Sequence, residues 1–129
     1  MTTVTVQASH TYDVKIARGL LASVGQEAAR AFRGRTAAVV SDTNVAPLYL
    51  QAVTDSLNQA GFRVCPFVFP AGEEHKNGGT YLDLLEFLAR EHLTRADGLI
   101  ALGGGVVGDL AGFAAATILR GVDFVQIPT

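Results

Sequence analysis

Residues 99–113, LIALGGGVVGDLAGF, restrict what this chain can fold into more than any other stretch. The apolar run 99–102 is short, bounded by glycine and free of helical polarity alternation, which predicts a buried strand. Three glycines follow, then Gly108, then Asp109 and an alanine-rich run that predicts a helix over 109–117. Glycine lets a ligand approach the main chain, so such a turn can present bare N–H groups. The helix opening behind it adds the positive end of its dipole, and together they make a site for phosphate or pyrophosphate. The alternative is that the glycines only allow strand and helix to pack closely. Three consecutive glycines cost backbone entropy that packing alone rarely justifies.

The spacing Gly103-x-Gly105-x-x-Gly108 also matches the dinucleotide-binding fingerprint in form, after a strand and opening a helix. Two features depart from the standard arrangement. Several strand–helix units precede this one, and the acid expected at the end of the next strand is missing, since Asp123 comes before the predicted strand 124–127. The pattern therefore predicts a phosphate-cradling turn in a doubly wound sheet, outside the ordinary dehydrogenase scheme.

The rest of the chain reads as alternating elements. Residues 3–7 and 12–16 alternate like paired strands, with a turn available at 8–10. Residues 19–32 place Leu20, Leu21, Val24, Ala28 and Ala31 at helical spacing. A compact strand over 36–40 ends at Ser41, Asp42, Thr43 and Asn44, all natural helix caps, and Pro47 suits the first turn of a helix running to 60. Gly61 supplies its stop. The strand predicted at 64–69 contains Pro66, which points to a sheet edge. A polar loop over 70–79 leads to an amphipathic helix over 80–93. Strands alternating with helices imply a Rossmann-like, doubly wound, mostly parallel sheet with helices on both faces. Residues 1–129 are one domain's worth of chain, without repeats, low-complexity tracts or an internal linker. Residues 127–129 follow directly on a strand, where an open α/β sheet places functional loops, so a domain truncated at its C-terminal end is expected.

Composition removes several function classes. A net charge of −2 argues against nucleic acid, and no apolar run approaches the ~20 residues needed to span a membrane. The lone Cys65 sits in an apolar stretch and reads as a packed thiol in a reducing compartment. The N-terminus lacks the basic and apolar regions of a signal peptide, so a cytoplasmic location is expected. His10 and His92 have no companions at metal spacing, and His75 reads as incidental to its charged loop. Tyr12, Tyr49 and Tyr81 read as half-buried packing contacts, and no nucleophilic triad or dyad is evident.

The segment ALGGGVVGDLAGFAAAT (residues 101–117), followed by LRG (119–121) and QIPT (126–129), closely resembles the 3-dehydroquinate synthase family of sugar-phosphate cyclases. GEEHK (72–76) and DTN (42–44), ahead of Leu48 and Tyr49, fit the same family. The resemblance covers essentially the whole chain but only the N-terminal part of the family. It implies an NAD-binding domain of a two-domain enzyme that converts 3-deoxy-D-arabino-heptulosonate 7-phosphate to 3-dehydroquinate and phosphate in the shikimate route. NAD acts catalytically there: a hydroxyl is oxidised transiently, phosphate is eliminated and the hydride is returned before the ring closes. A divalent metal, zinc or cobalt, holds substrate oxygens through a Glu and two His of a helical C-terminal domain, none of them in this chain. The full-length enzyme is implied to be a homodimer.

Matched residue by residue, Gly104, Gly105, Val106, Val107 and Gly108 correspond to the family's pyrophosphate-binding segment. Asp109 matches an acid at the cofactor–substrate junction, although an acid opening a helix is also a good dipole partner. Asp42 and Asn44 match positions near the adenosine ribose, with helix capping as the alternative. Gly72, Glu73 and Lys76 match a loop that closes over the cofactor, where Lys76 would be the counter-charge of a phosphate; a solvated charged loop is the alternative. Arg120 matches an arginine that meets the substrate phosphate, reaching across a dimer, and a surface salt bridge competes with that role. Thr129 matches the first of two cofactor-contacting threonines. Asp42 and Glu73, with no arginine near Asp42, favour NAD over NADP. Without metal ligands the 129 residues are not expected to turn over substrate alone. The alternatives are another sugar-phosphate cyclase or a non-catalytic nucleotide-binding module. Polyol dehydrogenases share the architecture, but they eliminate no phosphate and give Arg120 nothing to do.

Overall fold

The computed structural model, which describes residues 1–8 and 11–129, divides the strands between two sheets. The turn expected at 8–10 and the reading of His10 fall on Ser9 and His10, outside the described residues. β1 (Thr2–Gln7) and β2 (Thr11–Ile16) pair antiparallel as a separate ribbon, with Val4 opposite Val14 and Val6 opposite Tyr12. Residues opposite one another share a face, so the apolar side chains line one face and Thr3, Thr5, Asp13 and Lys15 the other. Lys15, on the polar face, meets Glu27 at 2.6 Å, whereas Tyr12 and Ile16 on the apolar face are 54% and 57% exposed. Tyr12 is thus no half-buried packing contact, and Tyr49 is exposed as well.

The larger sheet has the order β4-β3-β5-β6 and is parallel throughout. Its strands are β3 (Thr36–Asp42), β4 (Arg63–Phe69), β5 (Gly98–Gly103) and β6 (Asp123–Pro128). β4, with Pro66 in it, forms an edge, because proline has no N–H for a second ladder. β5 is buried along its whole length, which is why it reads as an unbroken apolar run.

The helices are α1 (Val24–Ala31), α2 (Ala46–Gln59), α3 (Gly78–Arg90) and α4 (Gly105–Thr117). Alternate strand residues feed two cores. Ala38, Val40, Leu99 and Ala101 pack with Leu84, Leu88, Leu110 and Ala114 of α3 and α4. Ala37, Val39, Ile100 and Leu102 pack with Val24, Ala28, Val53 and Leu57 of α1 and α2. The doubly wound arrangement follows directly from this period-two alternation between two apolar faces.

Two expected helices begin elsewhere. The run 19–32 divides into a 3-10 turn at Leu20–Ser23 and then α1, and Ser23 Oγ–H donates back to the Leu20 carbonyl at 2.9 Å, a local competitor of the helical ladder. The last helix starts at Gly105 rather than Asp109, because fully buried Val107 draws the Gly-Val-Val-Gly stretch onto the sheet despite its poor helix propensity.

The order of the strands positions the site. From β3 the chain crosses to β4 on one side, then returns past β3 to β5 on the other, so the winding reverses between β3 and β5. In open α/β sheets ligands bind outside the carboxyl ends of the strands at such a switch point. Asp42 ends β3 there, and the glycine turn ends β5.

Candidate functional site

Two of the three consecutive glycines have no steric reason within the fold. Gly103 does: its φ is +156°, and a Cβ there would lie 2.7 Å from Val107 Cγ2. At Gly104 and Gly105 a Cβ would meet no heavy atom within 4 Å, so both glycines border open space at the switch point. Gly104 is the N-cap of α4, and the first backbone bond of that helix runs from the Gly108 N–H to the Gly104 carbonyl at 3.0 Å. The amides of Gly105, Val106 and Val107 therefore have no partner inside the helix and carry its positive dipole end. Val107 contributes main chain only, since its side chain is buried, and the Gly108 amide is committed to the helix.

The revised helix start changes the reading of Asp109. It lies in the second turn of α4, whose first turn holds no acid, so it is not a dipole partner of the N-terminus. Asp109 is exposed instead and meets Lys76 Nζ at 3.4 Å. Lys76 also meets Glu73 Oε1 at 2.9 Å. Contact with Glu73 first, and Asp109 second, raises the Lys76 ammonium above its usual pKa. Lys76 is thus a held cation between two carboxylates, and a phosphate there would compete with both.

Asp42 holds the turn that leads into α2, whose N-cap is Val45, and keeps acceptor capacity. Its Oδ1 accepts the amides of Asn44 and Val45, each at 2.9 Å, and its other oxygen has no hydrogen-bond donor among the described residues. Asn44 itself is exposed. Gly72 begins the 3-10 turn Glu73–His75, and this loop is tied to β3 through Thr43, whose amide bonds the Phe69 carbonyl and whose Oγ1 accepts from the Ala71 amide. The Thr129 amide donates to the Gly103 carbonyl at 3.3 Å, which places Thr129 beside the turn. The carboxyl edge of the sheet therefore gathers Asp42, Asn44, the loop 72–76, the glycine turn and Thr129.

Arg120 stays apart. It follows the far end of α4, beside the amino end of β6, about 20 Å along the helix from the glycine turn. It is exposed and has no ion pair among the described residues. Leu119 and Arg120 both adopt left-handed backbone, φ +49° and +66°, a strain non-glycine residues carry where the surroundings impose it.

Some of the site was missed in the sequence. An open depression of about 360 Å³ is lined by Lys76, Asn77, Asp109, Leu110 and two aromatic side chains, Tyr81 and Phe113. Their rings lie 4.7 Å apart, Phe113 is 57% exposed, and Tyr81 Oη bonds Thr117 Oγ1 at 2.6 Å. Nothing in their sequence positions pairs them; only the packing of α3 on α4 does. Fully buried Ser41, whose Oγ–H donates to the Leu102 carbonyl at 2.8 Å, had one visible sign, a hydroxyl closing an otherwise apolar strand. Cys65 is buried, and burial pushes its thiol pKa up, which suits a packing role. His92 is exposed.

Comparisons with known proteins bear on this geometry. A family model described as 3-dehydroquinate synthase N-terminal matches residues 66–129. A 3-dehydroquinate synthase of Streptococcus pneumoniae is 51% identical over 120 residues, covering 93% of this chain and 34% of that protein. The chain thus spans about a third of the length of the curated relatives it matches. A 2-deoxy-scyllo-inosose synthase solved with carbaglucose-6-phosphate, NAD+ and Co2+ superposes with a TM-score of 0.89 at 26% identity, covering 99% of this chain and 35% of that one. ValA, a 2-epi-5-epi-valiolone synthase of Streptomyces hygroscopicus with NAD+ and Zn2+ bound, has a TM-score of 0.77 at 27% identity, covering 97% of this chain and 34% of that one.

Proposed function

The chain belongs to the 3-dehydroquinate synthase family, and from that membership we propose that it forms the NAD-binding part of an enzyme converting 3-deoxy-D-arabino-heptulosonate 7-phosphate to 3-dehydroquinate and phosphate. The observation that carries the reading is the pair Gly104 and Gly105, whose missing side chains leave bare helix amides in open space at the switch point. A pyrophosphate fits that cradle, and Asp42 opposite it retains an oxygen for ribose hydroxyls. Gly72, Glu73, Lys76 and Thr129 would complete the cofactor's surroundings, with Asn44 near the ribose. Bound there, NAD supplies reversible hydride acceptance.

The chain's own contribution is binding, orientation and charge. The amides of Gly105 and Val106 donate to phosphate oxygens, and Lys76 leaves one of its two carboxylates to neutralise the same group. Asp109, freed in part from Lys76, is the acid nearest the junction of cofactor and substrate. Arg120 would serve a second copy of the chain, because α4 holds it far from its own cradle; that role requires the full-length enzyme to be a homodimer. Among the described residues no group of three His, Cys, Asp or Glu is placed to hold a metal, so no step of this chain is assigned to one. Residues 1–129 are read as one cofactor domain, its metal-binding partner domain lying elsewhere in the enzyme. A location in the cytoplasm accords with this biosynthetic role, and no described helix is long and apolar enough to cross a membrane.

Another sugar-phosphate cyclase activity is the second reading, supported by the neighbours solved with NAD; 51% identity against 26% favours the first. Calorimetric titration of NAD and NADP into the chain tests the proposal. Binding of NAD in the micromolar to millimolar range, weaker binding of NADP and loss of binding in Gly105→Val are expected, with no phosphate released from the heptulosonate phosphate by this chain alone. Absence of NAD binding by the folded chain, or phosphate release without any further domain, would contradict it.

A further inference from the structure

We propose that Ser41 is a positioning residue for the glycine cradle, an inference that rests on the cofactor reading above. The three ladders of the parallel sheet do not run equally far. β3 stays paired with β4 as far as Asp42 opposite Phe69, and β5 with β6 as far as Gly103 opposite Pro128. Between the two central strands the pairing stops at Val40 opposite Ala101. The sheet is split at the switch point, between the strand that carries Asp42 and the strand that carries the cradle.

A split in a buried sheet leaves backbone groups without ladder partners, and such groups need another partner. The Leu102 carbonyl faces this situation in a residue with no solvent exposure. Ser41 Oγ–H donates to it at 2.8 Å, from a residue equally buried. Among the described residues this is the side-chain hydrogen bond that joins β3 to β5. A backbone ladder would hold the strands about 4.8 Å apart and close the crevice. The hydroxyl bridge ties them while leaving them parted.

Leu102 immediately precedes Gly103, so the bridge sets where β5 ends and how the amides at 105–107 face the space bordered by Asp42. Alanine at this position would leave the carbonyl unpaired and the end of β5 free to close on β3 or drift from it. Threonine retains the hydroxyl. A merely satisfied core serine would affect stability and the Leu102–Gly103 peptide it bonds, but neither NAD affinity nor the amides beyond that peptide, which makes the two roles separable.

The test compares Ser41→Ala and Ser41→Thr with Asp97→Asn, which weakens a buried polar tie at the opposite edge, where Asp97 accepts the Thr36 and Thr94 amides at 3.1 and 2.8 Å. Three quantities are read on each chain: melting temperature, NAD affinity and the amide resonances of Gly104, Gly105 and Val106, all beyond the peptide unit that Ser41 itself bonds. Ser41→Ala is expected to weaken NAD binding about tenfold, the scale of one hydrogen bond, and to shift the three resonances. Ser41→Thr is expected to restore both, while Asp97→Asn lowers the melting temperature with affinity held. Unmoved affinity and unmoved resonances in a folded Ser41→Ala chain would overturn the inference. Should the wild-type chain bind no NAD, the cofactor reading fails, and the resonances alone decide Ser41: movement in the alanine variant with recovery in threonine supports it, no movement overturns it. Should Ser41→Ala not fold, Ser41→Cys takes its place, since a thiol is a weak donor: affinity and resonances displaced relative to Ser41→Thr support the role, and matching values overturn it.

Discussion

Replacing Gly105 by alanine sets the demands of the fold against those of the ligand. A Cβ at this position meets nothing within 4 Å, so the fold accommodates it without movement. Gly105 is the first residue of α4, where alanine is favoured over glycine by up to about 1 kcal/mol through helix propensity and a less disordered unfolded chain. For a domain of this size 1 kcal/mol corresponds to roughly 3–6 °C, so the melting temperature should hold or rise. The ligand experiences the reverse. The methyl occupies the space through which a pyrophosphate reaches the amides of Gly105 and Val106, and a charge-assisted hydrogen bond is worth about 1.5–3 kcal/mol. Losing one predicts an affinity lower by about 10- to 100-fold. Thermal unfolding and NAD calorimetry on one preparation read both effects. A chain at least as stable as wild type with NAD binding sharply weakened is the expected result. Undiminished affinity would refute the cradle, and a stability loss above about 1 kcal/mol would show that this glycine serves packing. Gly103→Ala is the opposite case, since its Cβ would collide with Val107: a loss of about 1–3 kcal/mol is expected.

Asp42→Asn should leave stability within about 0.5 kcal/mol, because the amide oxygen still accepts from Asn44 and Val45, while NAD affinity falls; Asp42→Ala, which loses both turn hydrogen bonds, should also cost about 1 kcal/mol of stability, measured by denaturant unfolding. Lys76 has its pKa raised above the usual 10.5, so its ionic contacts are fully present below that pH and are lost as pH rises through the raised value. NAD affinity should therefore be level from neutrality to mildly alkaline pH and decline beyond, a decline absent in Lys76→Ala. Asp97→Ala should destabilise the chain by about 1–3 kcal/mol by orphaning the Thr36 and Thr94 amides, with NAD affinity unchanged once folded. Arg120→Gly should stabilise by up to about 1 kcal/mol, because glycine accepts the left-handed backbone, and should not alter NAD binding; weakened binding would contradict its placement away from the cradle.

Much of this architecture was legible in the sequence because its strongest signals are local. β5 is buried on both faces and reads as unbroken apolar chain; Pro66 marks an edge because it lacks an N–H; the run of glycines stands where a strand must turn into a helix. The helix start was misplaced because propensity disfavours Gly-Val-Val-Gly, whereas the burial of Val107 is a tertiary effect. That displacement matters for function, since it moves Asp109 from a capping position to an ionic contact with Lys76. The Tyr81–Phe113 pair and the Ser41 bridge depend on how α3 packs on α4 and on where two parallel strands part, neither of which local pattern encodes. The separation of Arg120 from the glycine turn follows from helix geometry: one continuous stretch of sequence spans both ends of α4.

The most direct measurement is an amide-resolved NMR titration of NAD into the isotopically labelled chain. Binding through the cradle should shift the amides of Gly104, Gly105 and Val106 together with Asn44 and Val45 beside Asp42 and the Lys76 loop, leaving Leu119, Arg120 and Gly121 unmoved. Saturable shifts confined to any other surface, or none in a folded chain, would contradict the assignment of the glycine turn as the cofactor site.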